Sequence, residues 1–464
     1  MHTNLLLLLL IFFTFPSAWA GSYTQALLKK NLVRVSPAAC SEIENKLGQL
    51  FYINVDGNGT PPPHAIDPEY IRLVKELQVG GVLPHFKVSN SQYVSLDSMK
   101  DSTSSLQNAT ELPLMIGVDY LWIKKAKEVK SPEDLLGYMG LGYGRGSLDP
   151  QRSNQCLRNK GQVEGLIHRT AGVNQALGPT VDVSSLWGEK NFGPEILAHK
   201  GSELIDAYNG VEVETVLKHY PYTPDDFNLH TKIGDATISS EDLERRLKVF
   251  DLLKTRAPFV MTTHTFNRNV DPDNVATFSP TWASMLRKQV GANTIIMTDA
   301  LYMIKGIGEE EIVDSMYKHW NVEQNASIKD KYSVYAIRSI LAGHDMAFLE
   351  GTATQTRTVF RNSLQYACSD KPDSKRFRER IVESYDRIRR YKLANSNLLR
   401  RIPKVSLETQ QKLFALYWRT ASAQTCGDTA LTKEISDLYK VILPSLTSPA
   451  ASAAADEARA YDAR

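Results

Sequence analysis

One carboxylate closes a run of residues that is typical of a buried strand. Asp299 directly follows the segment from Thr294 to Thr298, which is rich in β-branched residues. In a barrel of parallel strands, a carboxylate at the carboxyl end of a strand projects into the mouth, where such folds place catalytic groups. There it could attack an electrophilic carbon. A strand-end Asp is also a common helix N-cap, so the position alone leaves both interpretations open.

The elements that must position Asp299 are alternating strands and helices. Predicted strands are 50–55, 80–83, 112–118, 176–183, 214–219, 259–263 and 294–298, and predicted helices include 68–77, 162–174, 196–209, 240–253 and 281–290. This alternation fits either a closed barrel or an open doubly wound sheet. No GxGxxG follows a predicted strand and no GxxxxGK[ST] occurs, which disfavours the nucleotide-dependent enzymes of the open-sheet class.

The composition is that of a globular protein without a strong charge bias. Of the 464 residues, 42% are hydrophobic and 23% are charged, and the formal net charge is +2. This balance gives no support to nucleic-acid binding. The cysteines are Cys40, Cys156, Cys368 and Cys426, and none lies in a CxxC or CxH pair, which argues against a metal cluster. In an oxidising compartment they could form up to two disulfides in three possible pairings, or they could stay unpaired.

The first twenty residues are typical of a secretory signal peptide. The apolar run 5–13 is shorter than the roughly 20 residues of a membrane span and precedes small residues at 18 and 20. No Lys or Arg precedes the run, so an uncleaved anchor is the alternative. We predict an exported protein, periplasmic or secreted, with no stable membrane span after cleavage. The predicted organisation is a signal peptide (1–20), a barrel (21–370), a helical extension (371–444) and an Ala/Ser-rich tail (445–464).

Several short segments occur together in the order found in one enzyme family. They are VGGV (79–82), PLMIGVD (113–119), GVN (172–174), PTVDV (179–183), GEKNFG (188–193), VMTTH (260–264), TDALYMIKGI (298–307) and AGHDM (342–346). Together they resemble glycoside hydrolase family 3 over roughly residues 45–350. The resemblance implies a TIM-type (β/α)8 barrel of the α/β class, which the helical C-terminal extension would follow.

Within that family the chain resembles most the bacterial β-N-acetylglucosaminidases. The resemblance makes Asp299 the nucleophile of a retaining glycosidase. It makes Lys218 and His219 contacts of sugar hydroxyls, the alternative being a structural salt bridge and a buried imidazole. It also places Asp119 in the sugar subsite, with Lys190 where the family has Arg. No metal or organic cofactor is implied, and the implied partner is a carbohydrate, an N-acetylhexosaminide.

The loop after Lys218 and His219 departs from the family's pattern. The family has KHFPGHG and then D-S-H, whereas this chain has KHYP, a shorter loop and Asn228-Leu229-His230. The resemblance makes His230 the general acid/base, a role that imidazole can serve near neutral pH. Asn228 replaces the orienting Asp, and its amide can accept from an imidazole N–H but supplies no negative charge. Asp225 and Asp226 on the same loop are alternatives for that role.

These departures leave two hypotheses. In the first, the chain is an exported retaining β-glycosidase that acts on N-acetylhexosaminides from cell-wall material, with Asp299 and His230 as its catalytic pair. In the second, it is a barrel that keeps a sugar pocket but catalyses little, and serves as a binding or scaffolding protein. The retained Asp299 favours the first hypothesis, because an unpaired buried carboxylate is costly to keep. Asn228, and the bulky residues 120–124 where the family has a Gly pair, favour the second.

Overall fold

The computed structural model describes most of the chain outside its two ends. The described ranges are 22–56, 66–85, 96–119, 150–183, 193–224, 235–304, 331–420 and 425–443. The predicted signal peptide, the predicted tail and the predicted site residues Lys190, Asn228 and His230 lie outside these ranges.

Eight parallel strands close into a barrel. In chain order they are β1 (Phe51–Asp56), β2 (Gly81–His85), β3 (Met115–Val118), β4 (Gln175–Ala176), β5 (Glu214–Tyr220), β6 (Phe259–Thr262), β7 (Ile295–Ala300) and β8 (Met346–Leu349). β8 pairs with β1, with Leu349 opposite Ile53, and this pairing closes the cylinder. The strands are buried on both faces, as expected where helices cover a parallel sheet. The predicted TIM-type barrel is confirmed, and the open-sheet alternative is excluded.

One predicted strand is much shorter than the sequence pattern indicates. The prediction was 176–183, but β4 ends at Ala176. Pro179 follows shortly after and has no N–H to donate to a neighbouring strand, which interrupts the regular ladder. Beyond it the chain stays beside β5: Thr180 forms an isolated bridge to Lys218, and the Val181 N–H donates to the Lys218 carbonyl at 2.7 Å.

Helices follow most strands and surround the barrel. In chain order they are α1 (Ser22–Lys29), α2 (Pro37–Leu47), α3 (Pro68–Leu77), α4 (Leu96–Asn108), α5 (Pro150–Thr170), α6 (Pro194–Asn209), α7 (Ser240–Leu253), α8 (Pro280–Val290), α9 (Lys331–Ala342), α10 (Ala353–Ala367), α11 (Ser374–Ala394), α12 (Ser396–Arg400), α13 (Leu407–Thr420) and α14 (Thr429–Ile442). Some begin at a capping side chain followed by Pro, which removes one N–H that would lack a partner: Asp67 caps α3 and Ser279 caps α8.

The barrel interior is filled by side chains, which pack directly beneath the mouth. Tyr52 of β1 lies inside the barrel with its ring edge-on to Phe348 of β8, at 5.4 Å between centroids. Glycines on β2 and β3 make room for it: a Cβ at Gly81 would lie 2.4 Å from the Tyr52 ring, and one at Gly117 would lie 1.9 Å from its hydroxyl oxygen. No side chain could replace either hydrogen without moving Tyr52.

The C-terminal helices close the opposite, amino end of the barrel. On α11, Arg387 forms an ion pair with the buried Asp345, which directly precedes β8. Lys392 of the same helix donates to the Gln49 side chain at 2.8 Å and to the Gly80 carbonyl at 2.6 Å. The predicted helical C-terminal extension is therefore present. Its boundaries at 370 and 444 stay predictions.

Two disulfides join distant parts of the chain. Cys40 of α2 is bonded to Cys368 at the end of α10, and Cys156 of α5 is bonded to Cys426 in the turn before α14. This is one of the three pairings that the sequence left open. Among the described residues, no helix is both long and apolar enough to cross a membrane.

Candidate functional site

The carboxyl end of β7 places Asp299 in the mouth of the barrel. Its side chain is only 14% exposed, and its Oδ1 accepts a hydrogen bond from the Ala300 N–H at 2.7 Å. Burial raises the pKa of Asp299, but nearby His219, His264 and Lys218 outweigh burial, so the pKa lies below its ordinary value. The carboxylate is therefore ionised at neutral pH, the form that a nucleophile requires.

A second carboxylate holds His219 against Asp299. The Nδ1 of His219 lies 2.9 Å from Asp182 Oδ2, and its Nε2 lies 3.9 Å from Asp299 Oδ2. Asp182 also accepts from the Thr223 hydroxyl at 2.9 Å and from the His219 N–H at 3.2 Å. Burial raises the pKa of Asp182, but these partners, His219 first, bring it below the ordinary value. Asp182 is thus an anionic anchor that fixes the imidazole between two carboxylates.

Lys218 forms an ion pair with Asp119 across the mouth. Its Nζ lies 2.5 Å from Asp119 Oδ1, and the side chains are 9% and 29% exposed, respectively. The structural salt bridge weighed as an alternative for Lys218 is therefore present. The pair also borders the mouth, and its Lys218 lies close enough to lower the pKa of Asp299. A sugar hydroxyl could meet both a donor and an acceptor at this pair.

An irregular register in β5 accounts for the positions of Lys218 and His219. Consecutive strand residues normally point to opposite faces, yet both side chains contact carboxylates at the mouth. The register between β5 and β6 shifts between Leu217 and Tyr220, across these two residues. Such an irregularity re-aims a side chain.

A further group of polar residues lies at the ends of β1, β2 and β8. Glu350 directly follows β8, and His85 Nδ1 at the end of β2 lies 3.4 Å from Asp56 Oδ1 at the end of β1. The N–H of Gly351 donates to Asn54 of β1 at 2.7 Å, which ties the chain after Glu350 to the neighbouring strand. Burial, and the carboxylates of Asp299, Asp119 and Asp56 against an opposing effect of His85, raise the pKa of Glu350 to about 7.

The structure brings together those predicted site residues that it describes. They are Asp119, Lys218, His219 and Asp299, which lie at the ends of β3, β5 and β7. The acid/base prediction on His230 and Asn228, and the sugar contact predicted for Lys190, stay predictions. Within the described ranges, no group of three or more His, Cys, Asp or Glu side chains is arranged to hold a metal ion.

Three polar residues in or next to the mouth were not predicted from the sequence. Asp182 and His264 lie inside the family-like segments PTVDV and VMTTH, so the signal was present in segments used only to establish the resemblance. Glu350 follows the AGHDM segment at the end of the next apolar run. Its one signal was the same strand-end position that pointed to Asp299.

Comparisons with known structures agree on the fold. A β-N-acetylhexosaminidase from Beutenbergia cavernae is 19% identical, with a TM-score of 0.57 over 75% of this chain and 98% of that one. A glycoside hydrolase family 3 β-N-acetylglucosaminidase from a Paenibacillus species is 20% identical, with a TM-score of 0.54 over 86% of this chain and 68% of that one. A fungal multi-domain β-N-acetylglucosaminidase of the same family is 19% identical with a TM-score of 0.58, and this chain spans 43% of it.

The sequence itself also matches a family model. None of the curated proteins compared with the chain matches it significantly. Residues 42–366, which hold the whole barrel from β1 to β8 and Asp299, match the glycosyl hydrolase family 3 N-terminal domain. The chain belongs to glycoside hydrolase family 3.

Proposed function

We propose that the protein is an exported retaining β-glycosidase that cleaves β-N-acetylhexosaminides from cell-wall material. The observation that carries the proposal is the ionised Asp299 at the end of β7, held by the Ala300 N–H and flanked by His219. The proposed substrate class is that of the similar structures, which are β-N-acetylglucosaminidases and a β-N-acetylhexosaminidase. Two disulfides and the predicted signal peptide support export.

The proposed reaction proceeds through two displacements at one carbon. A carboxylate oxygen of Asp299 bonds to the anomeric carbon while the bond to the leaving oxygen breaks, and His230 gives that oxygen a proton. Water then attacks the anomeric carbon of the glycosyl ester, gives its proton to His230 and releases Asp299 as a carboxylate. In this proposal Asp119, Lys218, His219 and Lys190 contact sugar hydroxyls.

The experiment that tests this proposal is trapping of the glycosyl-enzyme. The protein is incubated with a fluorinated β-N-acetylglucosaminide that has a good leaving group and turns over slowly, and intact mass and peptide mapping follow. We expect one adduct on Asp299 in the natural protein and none in Asp299→Asn. An adduct on another residue, or turnover with inversion at the anomeric carbon, would contradict the proposal.

A second candidate function rests on the altered loop. Asn228 supplies no charge to stabilise an imidazolium at His230, which favours a barrel that binds sugars and catalyses weakly or not at all. Measurable binding of N-acetylhexosaminides with no adduct and no turnover would support this candidate. An increase in rate in Asn228→Asp would show that the missing charge limits an existing activity.

A further inference from the structure

His264 lies inside the protein, next to the end of the strand that carries Asp299. It follows β6 by two residues and is completely buried. Its Nε2 lies 3.0 Å from the carbonyl oxygen of Ala300, and its Nδ1 lies 2.7 Å from the Thr277 hydroxyl oxygen. The ring therefore connects the loop after β6 to the residue that follows Asp299.

The partners of the ring determine which atoms carry protons. A carbonyl oxygen only accepts, so the Nε2 of His264 donates to Ala300. The Thr277 hydroxyl has a single proton, and it donates to the carbonyl of Thr263 at 3.1 Å. Among the described residues, the Thr277 hydroxyl is the donor found for the buried carbonyl of Thr263. Buried carbonyls are rarely left without a hydrogen-bond donor. The hydroxyl oxygen must then accept from Nδ1, so both ring nitrogens carry a proton.

A doubly protonated imidazole carries a positive charge, and a buried charge needs a partner of opposite sign. Asp299 provides it from β7, where His264 contributes to the low pKa of that carboxyl. The other side chains that lower the pKa of Asp299 are His219 and Lys218 of β5, which have their own carboxylates in Asp182 and Asp119.

His344 shows the opposite arrangement within the same barrel. It is also completely buried, and its Nδ1 donates to the Ser339 carbonyl at 3.0 Å. Its Nε2 lies 2.8 Å from the Thr262 hydroxyl oxygen. Among the described residues, the one other hydrogen-bond partner of this hydroxyl is the carbonyl of Met297, at the long distance of 3.5 Å. That hydroxyl is therefore available to donate to the ring. Burial lowers the pKa of His344 to about 4, so this ring is neutral.

We propose that His264 is a buried imidazolium that positions Asp299 and keeps it ionised. It is a positioning residue: it holds the Ala300 carbonyl, and thereby the end of β7, and it places a fixed positive charge beside the carboxylate. The charge assignment stands independently of catalysis. Its catalytic consequence rests on the proposed function.

Nitrogen NMR of the histidine rings tests the charge directly. In protein labelled with ¹⁵N-histidine, we expect both ring nitrogens of His264 to give protonated-type signals that do not change between pH 5 and pH 8. His344 serves as an internal reference with one protonated and one unprotonated ring nitrogen. Spectra of His264→Gln and His344→Gln assign the signals of the two rings. In Asp299→Asn, we expect His264 to lose a proton by pH 7. An unprotonated ring nitrogen in His264 of the natural protein at pH 7 would overturn the proposal.

Two neutral variants separate the charge from the hydrogen bonds. His264→Gln can keep a donor near the position of Nε2 and His264→Asn near that of Nδ1, and both remove the charge. We expect both to move the acidic limb of the kcat/KM profile, which reports ionisation of Asp299, upward by about one pH unit. A purely structural role would lower the rate at every pH and leave the limb in place. His344→Gln, the control, should leave the limb unmoved.

The two experiments distinguish failure of this inference from failure of the proposed function. If the natural protein shows no glycosidase activity but its His264 is doubly protonated, the charge assignment holds and the proposed activity does not. If the enzyme is active and His264→Gln and His264→Asn leave the acidic limb where it was, the role of the charge is refuted and the proposed activity stands.

Discussion

The two ends of the barrel hold buried charge in different ways. At the amino end, Asp345 is completely buried, and its Oδ2 accepts from the Ile296 N–H and from Arg287, at 2.9 and 2.6 Å. Its Oδ1 accepts from Ser384 and Arg387 of α11. Both oxygens of this carboxylate thus have protein donors.

At the carboxyl end, Asp299 keeps part of its bonding capacity. Its Oδ1 accepts one backbone hydrogen bond, whereas its Oδ2 lies 3.9 Å from the nearest nitrogen of His219, beyond hydrogen-bond distance. A carboxylate whose oxygens are all bonded within the protein contributes to the fold. One that is ionised but not saturated can act on a ligand. This contrast, more than burial alone, separates the structural from the functional charges of this barrel.

The largest expected effect is on activity at the mouth. Asp299→Asn should lower kcat/KM on an aryl β-N-acetylglucosaminide by at least about 10⁴-fold, because the amide cannot form the glycosyl ester. The free energy of unfolding should change by less than about 2 kcal/mol, since relief of desolvation offsets the lost attraction to nearby cations. Steady-state kinetics and urea unfolding measure the two quantities. A loss of stability above about 4 kcal/mol would instead give Asp299 a mainly structural role.

The matching substitution at the amino end should do the reverse. Asp345→Asn leaves Arg287 and Arg387 facing each other without their shared carboxylate, which should lower the free energy of unfolding by about 3–5 kcal/mol. The kcat per folded molecule should stay within about twofold of the natural protein, because the substitution lies at the opposite end of the strands. Urea unfolding and active-site titration test this. A strong loss of kcat in fully folded protein would show that the charges at the amino end of the barrel also serve catalysis.

The fold could be predicted from the sequence because its signals are local and repeated. Apolar runs such as 294–298 alternate with amphipathic stretches such as 240–253, and the alternation fixes a parallel sheet with helices. Barrel closure was less directly encoded, since an open sheet has the same alternation. The failed boundary of β4 has a local cause in Pro179, whose missing N–H interrupts the regular ladder.

The site could be predicted only in part, because its partners come from separate strands. The strand-end position pointed to Asp299, and the family-like segments pointed to Lys218 and His219. That His219 is held by Asp182 depends on the irregular register of β5, which no local pattern reveals. The charge on His264 depends on a hydroxyl thirteen residues away, on Thr277.

A smaller effect should follow when the anchor of His219 is changed. Asp182→Asn keeps the shape but removes the charge facing the imidazole, and we expect kcat/KM to fall by about 100-fold because His219 loses its fixed position beside Asp299. The control Thr223→Val removes a hydroxyl that donates to Asp182 and leaves the carboxylate–imidazole contact. It should cost no more than about threefold. Equal rates in Asp182→Asn and the natural protein would mean that His219 needs no anchor.

The smallest effects should come from two carboxyls with similar pKa values that lie at opposite ends of the barrel, Glu350 and Glu214. Burial is the main cause that raises the pKa of Glu350 at the mouth and of Glu214 at the start of β5 to about 7. Between about pH 4.5 and 7, the folded protein holds a proton at each site that the unfolded chain has lost, so both residues lower stability as pH rises through this range. Glu350→Gln and Glu214→Gln should therefore each raise the unfolding free energy at pH 8 and leave it unchanged at pH 4.

Only Glu350 should affect catalysis in the same range. Its ionisation adds a negative charge near Asp299, and under the proposed function this charge would stabilise a transition state with oxocarbenium character. Because Gln imitates the protonated acid, the ratio of kcat/KM of the natural protein to that of Glu350→Gln should be close to one at pH 5. It should rise to about tenfold at pH 8. The same ratio for Glu214→Gln should stay flat, since Glu214 lies at the amino end. A flat ratio for both variants would show that Glu350 titrates without reaching the reacting sugar, and the mouth would then extend less far toward β8 than its carboxylates suggest.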